Sequence, residues 1–418
     1  MLKKKLKGGA LYIALIISIV TGIILSMFIL IGFYNQKQVL SQIGLNQLKN
    51  HLNSAFNIAK SQYFPESENN RWMELGPDND SIRIKKTQWG AYSLISTEAK
   101  NAHYYLKESG IYGALSSSDT ALLVCDHGRQ VSLTGKINFN GKCYFPKSGY
   151  KPVFIEGQSF NTSSPLNILV HDAPASLPKI RDSFINEIEN SIGKLNPNTD
   201  SLISELPDLL RQDFSAKTIV FQSGDLHLQS HHLNGNIKLV CDNSIVIENS
   251  NSINNILVIA ATIRVKKGFT GTLHLIASDS IIIEEECLLN YPSSLTVLNT
   301  QKKGNFLKTI SIANKSIVYG SLICANAETP TETDLPRTFI KLNPGCEIYG
   351  LIYSDGYIHL QGKIYGTAFC NKLLIKTGSA VYENHMMDCE IDPKKFAHCM
   401  IIPGIFTQKN IDKCGKWL

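Results

Sequence analysis

The stretch Lys238-Leu239-Val240-Cys241-Asp242-Asn243-Ser244-Ile245-Val246-Ile247-Glu248 decides the fold, because its pattern returns twice. Ile256-Leu257-Val258 precedes Thr262-Ile263-Arg264-Val265-Lys266, and His274-Leu275-Ile276 precedes Ser280-Ile281-Ile282-Ile283-Glu284. The period is 18 residues at three places: Leu239, Leu257, Leu275; Ile245, Ile263, Ile281; and Ile247, Val265, Ile283. A short strand cannot bury its Ile, Leu and Val side chains alone. Copies stacked about 4.8 Å apart make one continuous core. The repeat therefore predicts a mainly β chain whose residues 217–385 form a parallel β-helix, a β-solenoid. In that register Glu248, Lys266 and Glu284 line up as an alternating-charge ladder on the outer face. Each exposed pair there contributes only about a few tenths of a kcal/mol.

A second series continues the repeat. Val318-Tyr319-Gly320, Ile348-Tyr349-Gly350 and Ile364-Tyr365-Gly366 open three similar units, the first displaced by the polar stretch from Glu328 to Arg337. Tyr319, Tyr349, Tyr353, Tyr357 and Tyr365 are expected to form a structural tyrosine ladder. The alternative is an aromatic face that stacks on sugars.

Outward from the repeat the character changes. Residues 386–418 are expected to be a cysteine-containing tail, with Cys389, Cys399 and Cys414 beside His385 and His398. Residues 166–216 read as a helical linker: Ile180, Phe184, Ile185, Ile188 and Ile192 have helical spacing, as do Leu202, Ile203, Leu206, Leu209 and Leu210, with Pro197 between. Residues 65–165 read as a small β-rich domain, with period-two alternation at Ser81–Lys85 and Val131–Lys142.

The N-terminal region is of another kind. Gly8 to Gln36 carries no charged residue, and the apolar run from Ala10 to Tyr34 is 25 residues long. At 1.5 Å per residue that is roughly 37 Å of helix, more than the ~30 Å hydrocarbon core requires. Residues 1–9 form a basic tip, 10–34 a transmembrane helix, and 35–64 an amphipathic stalk in which Val39, Leu40, Ile43, Leu48, Leu52, Phe56 and Ala59 make one packing stripe. Pro65 and the polar run after it are expected to stop the stalk. Four lysines precede the span and Lys37 alone follows closely. This puts the N-terminus in the cytoplasm and the bulk of the chain in the periplasm, anchored by a single pass in the inner membrane.

The formal charge of +6 owes four units to Lys3, Lys4, Lys5 and Lys7, leaving 37 basic against 35 acidic residues. A body so nearly neutral excludes nucleic-acid binding through bulk basicity. Ten cysteines are present, and outside the cytoplasm disulfides are permitted. Cys125 and Cys143 are 18 residues apart, the length of one repeat, and so are candidates for a disulfide. Cys324 and Cys370 match each other with Ser354 between, too far apart to bridge. In the tail, one disulfide plus a free thiol is preferred to a zinc site, because no C-x-x-C spacing exists. His227 and His231 would share a strand face but lack a carboxylate partner, so no metal or cofactor is expected. A polysaccharide lyase or hydrolase needs carboxylates projecting together from neighbouring repeats. Asp242 matches Ala260 and Ser278, while Glu285 and Glu286 look like a solvated turn. No catalytic motif appears, so the chain is read as a non-enzyme.

Lys7-Gly8-Gly9-Ala10-Leu11-Tyr12-Ile13-Ala14 resembles the start of minor pilins and type II secretion pseudopilins. In those families a basic leader ends in Gly, and a hydrophobic helix continues outside the membrane. The resemblance implies processing between Gly9 and Ala10. The family's usual acidic residue at the fifth mature position is replaced by Ala14, which argues for an uncleaved anchor. The repeat region resembles the β-helices of bactofilin-type scaffolds, an architectural likeness with no residue roles. The expected function is that of a membrane-anchored structural or interaction protein, partnered by the membrane and by other subunits of an envelope or pilus-like assembly. The alternative is a carbohydrate-binding or carbohydrate-active β-helix with glycan partners.

Overall fold

A computed structural model describes residues 9–61, 64, 66–75, 80–115, 119–161, 167–193, 200–300, 307–328, 336–396, 400–406 and 413–417. The chain is mainly β and divides into two units, 1–85 with 97–108, and 86–96 with 109–418. The strands Ser81–Trp89, Tyr92–Lys100 and Tyr105–Leu115 carry the chain from one to the other.

In the first unit the helix α1 runs unbroken over Gly9–Lys60. At 1.5 Å per residue it is about 78 Å long. The serine and threonine side chains of the apolar run bond back to the helix: Ser18, Thr21 and Ser26 each donate to the carbonyl four residues back, at 2.8 Å. Leu11 to Tyr34 is exposed on all sides. The amphipathic stripe holds only in its second half. Leu48, Leu52, Ala55, Phe56 and Ala59 are buried, whereas Val39, Leu40 and Ile43 are exposed. The packing begins only where the strand ends reach the helix. The Tyr104 hydroxyl donates to Ser41 Oγ at 2.6 Å, and Gln47 and His51 reach the buried Asp80 at 3.3 and 2.9 Å. α1 stops at Lys60, before Pro65, which lies outside the described residues. Trp72–Glu74 pairs antiparallel with Ser81–Trp89, placing Trp72 opposite Arg83.

The second unit is built on a large parallel sheet. Ile245 faces Ile263, Ile263 faces Ile281, Ile281 faces Ile310 and Ile310 faces Ile340, all fully buried. Ile247, Val265, Ile283, Ile312 and Leu342 make a second column beside it. Two of the three predicted columns are therefore present, and both run further than the sequence period showed. The third is corrected by one residue: Leu239 faces Val258, not Leu257, and Val258 faces Leu275. The offset lies between paired irregularities: the register shifts at Asn255, which has φ 58°, and shifts back between Ala260 and Thr262, with the matching shift on the preceding strand between Val240 and Ser244.

That shift sends Leu257 and Ile259 to the opposite face, where they are also buried. They meet Trp89, Tyr92, Ile111, Phe184, Ile188, Ile401 and Ile405 in a second core. Both faces of this strand are covered, which is why Ile256 to Ala260 reads as an unbroken apolar run.

Several expected boundaries move. Residues 120–172 are not part of a separate domain: Ala368 pairs with Leu122, Cys389 with Ile137, and Ile391 with Phe139, so these strands extend the parallel sheet. His385–Ile391 joins it as well, rather than starting a tail, while Ile401–Ile402 and Lys413–Trp417 pair antiparallel with Tyr105–Leu115. In 166–216 the first helix forms, α2 over Asp182–Gly193, but the second does not. Asp200–Ile203 and Leu209–Gln212 are short strands, parallel to Thr218–Leu228 and His232–Gly235. A waiting sheet edge satisfies their backbone groups, and this outweighs a helical spacing broken by Pro207. Pro197 lies outside the described residues.

Candidate functional site

Three of the five tyrosines stack. Tyr319 and Tyr349 lie at 4.5 Å between ring centroids and Tyr349 and Tyr365 at 4.7 Å, while Lys395 Nζ is 4.8 Å from the Tyr365 centroid. Glycine makes the close stacking feasible. A Cβ on Gly320, Gly350 or Gly366 would lie 1.9–2.1 Å from the carbonyl oxygen of Ser293, Gly320 or Gly350 respectively. Tyr349 donates to Glu347 Oε2 at 3.1 Å, and Lys363 bridges to Glu347 at 2.8 Å. Loss of hydration, followed by the Glu347 charge, pushes the Tyr349 hydroxyl well above its ordinary range. Both faces of Tyr349 are covered by rings, and Tyr365 is covered by Tyr349 and Lys395. Tyr353 is elsewhere, buried in the second core with its hydroxyl donating to the Pro178 carbonyl at 3.2 Å. Tyr357 donates to Glu383 at 3.3 Å.

A second ladder escaped the sequence reading. Asn299 Nδ2 donates to Asn326 Oδ1 at 2.7 Å, and the Asn326 backbone N–H and Nδ2 donate to Asp355 Oδ2 at 2.7 and 3.0 Å. Thr338 Oγ1 donates to Asp355 Oδ1 at 2.6 Å, and Asn371 Nδ2 to the Asp355 carbonyl at 2.8 Å. Loss of hydration raises the Asp355 carboxyl above its ordinary range against the pull of these donors. The signal in the sequence is an Asn or Asp closing each apolar strand: Leu298-Asn299, Ala325-Asn326, Ser354-Asp355, Cys370-Asn371. Nearby in the repeat, Lys308 is buried and bridges to Asp279 at 3.1 Å.

The predicted charge ladder is half formed. Lys266 and Arg264 meet Glu284 at 3.1 and 3.3 Å, but Glu248 accepts from His227 Nε2 at 2.8 Å. Glu248 therefore turns to the strand before its own. His231 lies in the turn after that strand and does not share a face with His227, with Nδ1 at 3.0 Å from the Gln229 carbonyl and Nε2 at 3.9 Å from Asp208, so each histidine does have a carboxylate beside it. Among the described residues no group of three or more His, Cys, Asp and Glu has the geometry to hold a metal ion.

Cys125 and Cys143 are free, buried thiols, and burial pushes both up to about 12. Their predicted equivalence fails on register: Cys143 faces Leu122, so Cys125 falls beyond it, its N–H donating to the Cys370 carbonyl at 3.1 Å. Cys324 faces Ser354 as the tyrosine units require, and it is free, as is Cys370. Cys389 is a buried free thiol within the parallel sheet. Cys399 and His398 lie outside the described residues, as does the side chain of Cys414. Gly9 and Ala10 open α1, both exposed.

One buried pair has the two residue types of a nucleophilic dyad. His274 Nδ1 is 3.0 Å from Ser294 Oγ, which also accepts from the Ala91 backbone N–H at 3.1 Å. Both side chains are fully buried, and loss of hydration pushes His274 down to about 3. The neutral ring holds the Trp89-Gly90-Ala91 turn in place, and a Cβ on Gly90 would collide with both residues.

Comparison with protein-family models, with curated proteins and with solved structures yields no match.

Proposed function

We propose that the chain is a single-pass membrane protein that presents a closed parallel β-solenoid on the non-cytoplasmic side, as a structural or interaction subunit of an envelope or pilus-like assembly. The observation that carries the reading is α1. It is long and apolar enough to cross a membrane, with that stretch unburied by the rest of the chain. The serine and threonine hydroxyls of its apolar run, Ser18, Thr21 and Ser26, are satisfied within the helix, as an apolar surrounding demands. The continuous isoleucine columns support the solenoid, since each strand finds its partner in the next repeat. The tyrosine faces engage one another, which supports a scaffold over a sugar-stacking surface.

The test is crosslinking in intact cells followed by pull-down from solubilised membranes, with protease protection of spheroplasts. Recovery in the membrane fraction, digestion of the bulk from outside, and a crosslinked envelope protein are expected. A protein recovered in the soluble fraction defeats the anchor. A membrane protein that captures glycan and no protein replaces the assembly reading with the carbohydrate one.

A further inference from the structure

We infer that the turn at residues 101–104, with its flanking Lys100 and Tyr105, docks on the phospholipid headgroups of the membrane that α1 enters; this rests on the anchor reading above. The turn is fixed at a definite height on α1. The Tyr104 hydroxyl donates to Ser41 Oγ at 2.6 Å, and the Tyr104 ring lies 3.4 Å from where a Cβ on Gly44 would stand. The turn is itself locked: Asn101 Oδ1 accepts from the backbone N–H groups of His103 and Tyr104 at 2.9 and 2.7 Å. Ser41 is seven residues past Tyr34, about 10 Å along the helix.

The apolar surface does not stop at Tyr34. Beyond the exposed polar break Asn35-Gln36-Lys37-Gln38, Val39, Leu40 and Ile43 are 53%, 61% and 56% exposed, so outward apolar side chains resume past the break and the span from Leu11 to Ile43 ends on them. That is roughly 48 Å of helix against ~30 Å of hydrocarbon and ~40–45 Å of whole bilayer. A helix with excess apolar length sits with its surplus in the interface, which brings residues 39–44 to headgroup depth. The turn held against Ser41 and Gly44 comes to the same depth.

Its chemistry suits that layer. Ala102 and His103 are exposed, Tyr105 is 54% exposed and Trp72 38%. Lys100 Nζ and Arg83 lie over the Trp72 ring, at 4.2 and 4.8 Å from its centroid. Glu98 is buried and bridged by both Arg83 and Lys107, while Glu74 and Glu108 are exposed on the flanking strands. Exposed Trp and Tyr edged by cations is the composition of a membrane interface, and Lys100 over the Trp72 ring is the cation placed to meet anionic headgroups.

The test reconstitutes the full chain in vesicles of phosphatidylcholine with phosphatidylglycerol. Photoreactive p-benzoylphenylalanine replaces, one at a time, His103, Tyr105, Tyr34 and Asn53, the last being exposed on α1 about 18 Å beyond Ser41. Phospholipid adducts at 34, 103 and 105 and none at 53 are expected, with the adduct at 103 reduced by Lys100→Glu. Adducts at 34 but none at 103 or 105 overturn the docking and leave the anchor standing. No adduct at 34 overturns the anchor and the docking together. Adducts of equal yield at 53 and 103, or adducts at 103 and 105 to protein in place of lipid, also overturn the docking.

Discussion

Glu286 and Lys315 occupy the same corner of successive repeats, each three residues beyond the paired Ile283 and Ile312, and each has a left-handed backbone at φ 59° and 60°. Gly268 and Gly345 hold the equivalent corners after Val265 and Leu342, at φ 77° and 75°. The corner geometry is thus set by the stack, and two of its four occupants carry a side chain at a steric cost. Glu286→Gly and Lys315→Gly are each expected to raise stability, by about 0.5–1 kcal/mol. Chemical denaturation of the second unit measures it, and a loss of stability in both variants would contradict the shared corner.

The inner columns make a steeper contrast. Ile263 is fully buried between Ile245 and Ile281, whereas Lys266 is partly exposed in its pair with Glu284. Ile263→Lys puts an unpaired charge in the core and is expected to cost several kcal/mol, about 3 or more, against under about 1 for Lys266→Ala. Equal melting temperatures for the two proteins would sink the register.

Gly350 tests the tyrosine ladder. Its missing Cβ would lie 2.1 Å from the Gly320 carbonyl oxygen, a backbone atom with no freedom to move aside. Gly350→Ala is expected to destabilise by about 3 kcal/mol or more and to separate the Tyr349 ring from its neighbours. Gly378→Ala, where a Cβ meets nothing within 4 Å, is the control and is expected to be near neutral. The near-ultraviolet circular dichroism of the tyrosines reads the stacking.

Acid sensitivity has a named source. Burial depresses His274 to about 3, so the fold keeps it neutral while the unfolded chain binds a proton below about 6.5. The unfolded state then holds more protons, and stability falls as pH drops from about 6.5 toward 3, by up to about 1.4 kcal/mol per unit. His359 is shifted in the same direction by burial. Removing the proton site with His274→Gln is expected to flatten the slope of unfolding free energy between those limits. An unchanged slope would mean that His274 titrates normally in the fold.

The thiols offer a covalent check. Cys125 and Cys143 are buried, free and pushed up to about 12. A thiolate-dependent reagent is expected to leave both unmodified in the native protein and to modify both on denaturation without reductant. A mass corresponding to a peptide pair linked through these two residues would overturn the register that places Cys143 opposite Leu122.

The sequence by itself determined whatever is local or strictly periodic. A charge-free run followed by polar residues makes α1 in any context, since chain length and hydropathy alone decide it. An Ile at every eighteenth position repeats the same burial problem, and stacking is its physical solution, so the columns through Ile263 and Val265 were legible. So were three members of the tyrosine ladder, because Val318, Ile348 and Ile364 stand in the same relation to the rings that follow them, whereas Tyr353 and Tyr357 lie outside it. Tertiary structure decided everything that depends on a partner far along the chain. Leu122 and Ala368 pair across some 246 residues with no periodicity to announce it. Leu202 and Leu209 lie in strands because an open parallel edge offers more hydrogen bonds than an isolated turn of helix. Leu257 exchanged faces with Val258 because the register slips at Asn255 and recovers after Ala260, which turns Leu257 and Ile259 into the second core. Each such choice is a balance between local preference and contacts whose geometry exists only once the stack is built.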